Sequence, residues 1–492
     1  MSIKSPTQEQ ENFLATANTS GSIALIGRAG CAKTTTLAQW TQLCRKSGIS
    51  TSFSKSTTQE LAIKISSRFP AKTCHSICFT TLKGAGKGVN LDKNKMYDLV
   101  KTLSNENDIP FELQGEIRSL ACMAKVYGIQ PDSFGPDGLT LDEPSQWADL
   151  ADMYDIEFSD EILHWSQEAV RLSNQAFFAS GSIDFDDMLY IPLIFHGYRF
   201  PRVPVLVADE VQDFNMLQHE MVRRCLLPGG RLIGAGDDRQ AIYAFRGALS
   251  DSYGDLIRRF NMQSYPLTIS FRCPQEVIKV AQTYVPDIQA AESAIQGSVL
   301  YPSTLSLVDV PKTVLCRNNA PLMKLALQLL VSGRTVEIAG QDIGKNLIKV
   351  VERITKKNLS SDEFISRLEK WKERELAKYP RRKRIIGEKF AVLTTLAKTR
   401  KDVEGVKKHL TKLYPDPNDK SYRPADVHLS TAHRAKGKEW PQVLILDPQL
   451  FGKYAKSEQE IEQEQNLAYV SVTRAMQELS FIESTSIEGL EP

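Results

Sequence analysis

The chain has 492 residues, which is enough for roughly three to four domains of about 150 residues each. Its hydrophobic content of 42% and charged content of 24% are ordinary for a globular protein and exclude a mostly disordered chain. The 61 basic and 59 acidic residues nearly cancel, which excludes a uniformly basic protein but not a local basic channel. No apolar run approaches the ~18 residues of a membrane span, so we expect no membrane partner.

The eight cysteines are scattered along the chain and form no CxxC pair. Cys74, His75 and Cys78 lie close together, but zinc normally takes four ligands at recognisable spacing, and no second cluster accompanies them. We therefore interpret the cysteines as reduced core thiols. This predicts a reducing compartment, namely the cytoplasm of a bacterium, or of the host if a phage encodes the chain.

The first predicted elements are a buried strand at residues 22–26 and a helix that begins near Thr34. A glycine-containing loop lies between them, and this order is typical of a phosphate-binding loop. Its backbone N–H groups and the helix N-terminus point at the β-phosphate. The residues expected to hold a nucleoside triphosphate are Gly27, Arg28, Ala29, Gly30, Cys31, Ala32, Lys33, Thr34 and Thr35.

Two side chains of this loop have predicted roles. Lys33 is expected to reach the β- and γ-phosphates, and Thr34 to place its hydroxyl on Mg²⁺. Ala32 departs from the pattern, because glycine is usual before the lysine. A left-handed backbone at Ala32 would cost on the order of 1 kcal/mol, whereas an alanine that already begins the helix would cost nothing. We expect the second case; the alternative to a phosphate site is a chance glycine-rich turn.

A second strand is predicted at residues 204–208, and it ends in the carboxylates Asp209 and Glu210. Carboxylates at the carboxyl end of a buried parallel strand lie at the crevice where α/β sheets bind ligands. We expect Asp209 to hold Mg²⁺, directly or through water, and Glu210 to orient and deprotonate the attacking water. Alone, the pattern would also fit a solvated acidic turn after an edge strand.

A third strand and turn follow at residues 231–240, where Gln240 is placed to sense the γ-phosphate. The next residues, Tyr243, Phe245 and Arg246, interleave aromatic and basic groups. Such groups can stack on bases and pair with phosphates. The alternative for the two aromatic side chains is packing in the core.

These features occur in order with a C-terminal block at residues 431–441 and 467–475. Together they resemble the superfamily 1 DNA helicases of the UvrD/Rep/PcrA type. Smaller segments are similar to further motifs of that family: residues 7–10 to the Q motif, 53–61 to motif Ia, 73–76 to motif Ib, 182–188 to the acidic segment before motif II, 270–273 to motif IV, and 314–320 to a strand of the second motor domain.

The resemblance implies an α/β fold with two RecA-like P-loop NTPase motor domains, each carrying a largely helical insertion. The expected boundaries are 1–80 and 195–261 for motor domain 1A, 81–194 for insertion 1B, 262–344 and 425–492 for motor domain 2A, and 345–424 for a reduced insertion 2B.

The resemblance also implies roles at the nucleotide. Gln10 would read the adenine edge and Phe271 would stack on adenine. Arg272 and Arg474 would reach the γ-phosphate from the second motor domain and stabilise charge on the transferring phosphoryl group. Further nucleotide contacts are expected from Lys436, Gly437 and, towards the ribose, Glu439. The DNA-strand channel would be lined by Phe53, Thr73, His75, Tyr243, Phe245, Arg246 and His433.

The activity implied by the resemblance is that of an ATP- and Mg²⁺-dependent translocase and helicase on single-stranded DNA. Residues 236–248 and 433–439 resemble the 3′-to-5′ branch of the superfamily. Expected partners are single-stranded, fork and overhang DNA, together with replication, repair or recombination proteins, and a monomer would suffice to bind DNA. There are two alternatives. One is a DNA-stimulated ATPase that displaces proteins and unwinds weakly, and the other is a non-catalytic binding module whose phosphate loop is inactivated by Ala32.

The second insertion is short for the family and rich in charge. Phe364, Leu368 and Trp371 have the spacing of an amphipathic helix. The basic run at residues 381–384 is predicted to contact duplex DNA. The alternative for this run is a solvated helical face. The short length leaves the unwinding strength open but does not affect the predicted ATPase chemistry.

Overall fold

The structure is a computed structural model that describes residues 6–86, 88–111, 113–131, 142–154, 156–242, 251–339, 341–378, 383–413, 425–453, 455 and 457–488. The chain divides into two units, Met1–Thr268 and Ile269–Pro492. Each unit is built on a parallel sheet whose strands alternate with helices, as the order of apolar runs and helical segments predicts.

The first unit contains a six-stranded parallel sheet and a separate pair of short strands among its described residues. Its strands are β1 (Ile23–Gly27), β2 (Ile49–Ser52), β3 (Ala71–Thr73), β4 (Asn90–Leu91), β5 (Ser182–Ile183), β6 (Val203–Asp209), β7 (Leu226–Gly236) and β8 (Gln263–Leu267). Among the described residues, six of them pair in the order β3-β2-β6-β7-β1-β8, and β4 pairs with β5. Because β6, β7 and β1 are parallel neighbours, their carboxyl ends lie at the same edge of the sheet.

Apolar cores cover both faces of this sheet, which explains the continuous apolar run in β6. Val205 and Val207 pack in the core that contains Trp40 of the helix after the phosphate loop. Leu206 and Ala208 pack in the other core, which extends into the helices of the insertion. A strand buried on both faces needs apolar residues at every position rather than at alternate ones.

The helices of the first unit are α1 (Gln8–Leu14), α2 (Lys33–Leu43), α3 (Lys55–Lys64), α4 (Cys74–Gly84), α5 (Lys95–Glu106), α6 (Gln114–Val126), α7 (Pro144–Met153), α8 (Asp160–Ser180), α9 (Asp187–Ile194), α10 (Met216–Cys225) and α11 (Ser252–Phe260). Helices α5 to α8 lie in the chain where the first insertion was expected. Two buried lysines tie it to the start of α9: Lys95 Nζ lies 2.7 Å from Asp187 Oδ2, and Lys125 Nζ lies 2.6 Å from Asp187 Oδ1. The acidic segment at residues 182–188 thus has a structural role within this unit.

The second unit repeats the parallel α/β architecture. Its strands are β9 (Ile269–Ser270), β10 (Gln289–Ala290), β11 (Ser298–Leu300), β12 (Thr313–Cys316), β13 (Val336–Ile338), β14 (Val427–Thr431), β15 (Trp440–Leu446) and β16 (Ala475–Ile482). Among the strands that the structure describes, six pair in the order β11-β16-β15-β12-β14-β13. This arrangement confirms the predicted fold class.

The helices of the second unit are α12 (Gln275–Ala281), α13 (Asn319–Val331), α14 (Gln341–Ile354), α15 (Ser361–Lys378), α16 (Lys383–Lys398), α17 (Val403–Leu413), α18 (Ala432–Ala435) and α19 (Glu458–Val472). Helices α14 to α17 lie in the chain between β13 and β14, where the second insertion was expected. Phe364, Leu368 and Trp371 are buried in α15, which confirms the predicted amphipathic helix. They belong to the same apolar core as β12 and β14.

The boundary between the units differs from the expected one. Strand β8 pairs with β1, from Ile23 opposite Gln263 to Gly27 opposite Leu267, so the first unit ends at Thr268 and not near residue 261. Within the described residues, no helix is both long and apolar enough to cross a membrane.

Candidate functional site

The loop between β1 and α2 bends through two left-handed residues. Gly30 has φ +74°, and Ala32, immediately before Lys33, has φ 62° and ψ 33°. The expectation that Ala32 already begins the helix is therefore wrong. Ala32 is the residue before the helix, in the conformation that glycine adopts without strain, and alanine there costs about 1–2 kcal/mol.

Lys33 folds back over this loop. Its Nζ donates to the carbonyl oxygens of Gly27 at 3.0 Å and Arg28 at 3.4 Å. A Cβ at Gly27 would lie 2.4 Å from Lys33 Cγ, so the lysine stem passes where only glycine leaves space. Burial alone would lower the pKa of Lys33, but the acidic groups around it outweigh burial and raise that pKa. These groups are Cys31, Asp237, Glu210 and Asp209.

Thr34 and Asp209 meet at the predicted Mg²⁺ position. Thr34 Oγ1 donates to Asp209 Oδ2 at 2.8 Å, although the two residues come from α2 and β6. Burial and then the charge of Glu210 raise the pKa of Asp209 to about 6. A hydroxyl and a carboxylate are hard oxygen ligands, which Mg²⁺ prefers, and a cation would offset the unfavourable burial of the carboxylate. The residues present therefore fit Mg²⁺.

Glu210 follows β6 in a left-handed conformation, with φ 56° and ψ 42°. Gln212 Nε2 donates to Glu210 Oε2, while Gln212 Oε1 accepts from the backbone N–H of Asp237 at 3.2 Å. A Cβ at Gly236 would lie only 2.5 Å from Gln212 Oε1. Gln212 thus bridges the ends of β6 and β7, a link that sequence reasoning missed. Strain of about 1–3 kcal/mol at Glu210 is typical of functional sites.

Gln240 is the fifth predicted residue at this sheet edge. It closes the 3₁₀ turn Asp238–Gln240 after β7, and its Nε2 donates to Asp237 Oδ2 at 2.6 Å. Asp237 is fully buried, and burial raises its pKa. Arg28 Nη1 lies 2.6 Å from Asp238 Oδ1. The structure therefore brings together Lys33, Thr34, Asp209, Glu210 and Gln240, as predicted from the sequence, with Arg28 at their edge.

Gln10 is placed beside the phosphate-loop helix but its amide is already engaged. Its side chain forms a capping box with Thr7, and Gln10 Nε2 donates to Thr36 Oγ1 of α2 at 3.1 Å. The neighbouring Glu9 accepts from both the N–H and the hydroxyl of Thr268, each at 2.7 Å. The adenine contact of Gln10 stays a prediction.

In the second unit, three predicted nucleotide residues form a charged group. Arg272 Nε lies 2.6 Å from Glu439 Oε2, so this carboxylate is paired with an arginine. Arg474 is 1% exposed and donates to the carbonyl oxygens of Val470 at 2.8 Å and Lys438 at 3.1 Å. Burial, and then the charge of Arg272, lower the pKa of Arg474 to about 10. The roles of both arginines at a γ-phosphate stay predictions.

The remaining residues were predicted to contact DNA or the nucleotide. Thr73 is the residue before α4, and its Oγ1 accepts from the N–H of Ser76. Burial lowers the pKa of His75 in this helix. Gly437 has φ +78°. The residues that are partly exposed are Phe53, His75, Phe271, His433 and Lys436. The predicted DNA contacts that lie outside the described residues are Tyr243, Phe245 and Arg246.

Comparisons with known proteins identify two family matches. Residues 7–261 match the UvrD/REP helicase N-terminal domain, and residues 426–482 match the UvrD-like helicase C-terminal domain. The first match covers the whole candidate phosphate site, and the second includes Glu439 and Arg474.

Individual relatives match over shorter regions. The probable DNA helicase II homolog of Mycoplasma pneumoniae is 29% identical over 124 residues, 23% of this chain and 17% of that protein. The ATP-dependent DNA helicase Rep of Buchnera aphidicola is 25% identical over 123 residues, 23% of this chain and 18% of that protein. A crystal structure of arterivirus nonstructural protein 10 (helicase) aligns with 96% of this chain and 61% of that chain at 12% identity, with a TM-score of 0.34. The match spans less than a fifth of either curated relative's length.

Proposed function

The chain belongs to the UvrD/REP helicase family, and we propose that it is an ATP-dependent DNA helicase that translocates on single-stranded DNA. The observation that carries the proposal is the meeting of Lys33, the Thr34–Asp209 pair and Glu210 at one sheet edge. These groups derive from two separate segments of the chain, and each supplies a different requirement of phosphoryl transfer.

The chemistry proposed for this edge is hydrolysis of ATP. Lys33 stays charged and holds the β- and γ-phosphates once they displace its contacts to the loop carbonyls. Thr34 and Asp209 would hold Mg²⁺, which would neutralise charge on the phosphate oxygens. Glu210 takes the proton of the attacking water, and Gln212 fixes the orientation of its carboxylate.

We propose that the second unit couples ATP hydrolysis to movement. Arg272 and Arg474 would stabilise the γ-phosphate in the transition state, which makes turnover depend on both units. In the structure Arg272 is paired with Glu439, and Arg474 donates to backbone carbonyls. Both arginines must leave these partners before they can contact a γ-phosphate. Such an exchange would link each turnover to a change of conformation.

Single-stranded DNA is the proposed track, with 3′-to-5′ movement. The membership in the family and the aromatic residues next to Gln240 in the sequence support this choice. Stacking contributes about 1–3 kcal/mol per base and does not depend on sequence, which suits a translocase. We further propose a cytoplasmic location, supported by eight unbridged cysteines, seven of them buried.

The proposal is tested by ATP hydrolysis with and without single-stranded DNA. We expect DNA to stimulate turnover of the wild-type protein and Glu210→Gln to lose turnover while it still binds nucleotide. Absence of DNA stimulation in a folded wild-type protein would refute the proposal and leave a nucleotide-binding module.

A second candidate function is displacement of proteins from DNA with weak unwinding. The observation that favours it is the short second insertion, whose helices α14 to α17 pack in the core of the second unit. Displacement of streptavidin from a biotinylated single strand, measured beside unwinding of a fork, separates the two candidates. Rapid displacement with little unwinding would favour this second function.

We also propose that the second insertion contacts duplex DNA. Residues 341–413 contain 21 basic and 10 acidic residues, whereas the whole chain carries a net charge of only +2. This local excess supports binding to the phosphate backbone. Of the basic run at 381–384, residues 381 and 382 lie outside the described residues.

A further inference from the structure

Arg28 links the phosphate loop to the turn that follows β7. Its Nη1 lies 2.6 Å from Asp238 Oδ1 and 3.4 Å from Asp237 Oδ1. The Asp237 side chain is fully buried, whereas that of Asp238 is 44% exposed. The ion pair therefore joins two segments that are about 210 residues apart in the chain.

The backbone of Arg28 is fixed on both sides. Its N–H donates to the carbonyl of Leu267 in β8 at 2.9 Å, and its carbonyl accepts from the N–H of Cys31 at 3.3 Å. Lys33 Nζ also contacts this carbonyl, at 3.4 Å. The guanidinium of Arg28 is thus held at the edge of the loop that is proposed to bind the phosphates.

The turn on the other side of the ion pair orients Gln240. Asp237 Oδ2 accepts from Gln240 Nε2 at 2.6 Å, and Asp237 Oδ1 accepts from the N–H of Arg239 at 3.2 Å. The chain then runs directly into residues 243–250, where aromatic and basic DNA contacts are predicted. If Arg28 exchanges Asp238 for another partner, the turn Asp238–Gln240 that precedes the predicted DNA contacts loses one of its attachments.

We propose that Arg28 is a positioning residue that holds the turn Asp238–Gln240 against the phosphate loop and releases it when ATP binds. This inference rests on the proposed nucleotide site. A bound triphosphate would place several negative charges beside Arg28, whose side chain is 12% exposed. The two carboxylates that face it in the structure are the 44%-exposed Asp238 at 2.6 Å and the buried Asp237 at 3.4 Å. The phosphates therefore compete successfully for the guanidinium, and nucleotide occupancy is transmitted to Gln240.

The first test measures amide hydrogen exchange of residues 237–242 with and without Mg²⁺ and AMP-PNP, a non-hydrolysable ATP analogue. In the wild-type protein, we expect the nucleotide to speed exchange in this turn. Asp238→Asn removes the charge but not the volume, so exchange should be fast without nucleotide and change little when it is added. Asp251→Asn is the matched control, because it removes a more exposed pair, Arg258–Asp251 at 2.9 Å, in the same unit.

The second test measures the affinity for AMP-PNP. Because the nucleotide no longer has to displace Asp238, we expect Asp238→Asn to bind it roughly two- to five-fold more tightly. In an Arg28→Ala background the same substitution should have no effect. Wild-type exchange and wild-type affinity in Asp238→Asn would overturn the inference.

These measurements need neither DNA nor hydrolysis, which separates the two proposals. A wild-type protein that binds AMP-PNP but shows no DNA-stimulated turnover refutes the helicase proposal and leaves the Arg28 switch to be judged by its own result. A wild-type protein that binds no AMP-PNP refutes both.

Discussion

Replacing Ala32 with glycine should stabilise the first unit, although the substitution removes a methyl group. Ala32 has φ 62°, a left-handed conformation that costs a residue with a Cβ about 1–2 kcal/mol. Glycine relieves this cost but loses about 0.4–1 kcal/mol, because its unfolded chain is more flexible. The net gain expected is therefore roughly 0.5–1 kcal/mol in the free energy of unfolding.

Ala29 provides a matched control in the same loop. It is fully buried and does not have a positive φ. Ala29→Gly therefore relieves no backbone strain, but it removes buried packing and makes the unfolded chain more flexible. We expect Ala32→Gly to raise the urea midpoint and Ala29→Gly to lower it, both measured on the full chain. For a unit of this size, a gain of about 1 kcal/mol corresponds to about 2–4 °C in Tm.

The opposite sign at Ala32 would refute the account of this loop. If Ala32→Gly destabilises the protein as much as Ala29→Gly does, the residue before Lys33 is not left-handed. The first turn of α2 would then begin one residue earlier, as the sequence alone suggested.

Three further predictions concern the phosphate site and the second insertion. Lys33→Ala and Glu210→Gln should each reduce ATP turnover by at least about 10²-fold, and a near-wild-type rate in either variant would exclude that residue from catalysis. Without nucleotide, the pKa of Asp209 is about 6 in the folded state and near 3.9 in the unfolded chain, so the native state loses stability as pH rises from about 4 to 6. Asp209→Asn removes this titration. The free energy of unfolding of the variant minus that of the wild type, measured with denaturant, should therefore rise on the order of 2 kcal/mol over that range and stay constant above it. A difference that is constant throughout would contradict the raised pKa. Replacement of residues 381–384 by alanine should weaken binding to fork DNA. The slope of log affinity against log salt concentration should become shallower by up to about 0.9 for each phosphate that is no longer neutralised. An unchanged slope would indicate that these residues form a solvated face.

The main features of the candidate phosphate site were predictable because they depend on local patterns. Strands β1, β6 and β7 are buried and lead directly to Lys33, Asp209 and Gln240, since ligand-binding groups follow the carboxyl ends of parallel strands. The amphipathic face of α15 was predictable for a similar reason, because its buried residues repeat with the helical period.

Other features depend on which strands become neighbours, and the sequence does not reveal that. Gln212 and Arg28 gain their partners only because β6, β7 and β1 lie side by side. Strand β8 was missed because it is an edge strand whose exposed residues, including Pro266, form no apolar run. The backbone of Ala32 was misjudged because its left-handed φ follows from the loop path and not from the residue type.

We propose above that ATP hydrolysis at Lys33 and Glu210 drives directional movement along single-stranded DNA. The most direct measurement is ATP-dependent unwinding of two otherwise identical duplexes, one with a 3′ and one with a 5′ single-stranded overhang. We expect strand separation from the 3′ overhang, much less from the 5′ overhang, and none with Glu210→Gln. Equal unwinding of both duplexes by the wild-type protein would contradict the proposed direction. Unwinding that persists in Glu210→Gln would contradict the proposed source of energy.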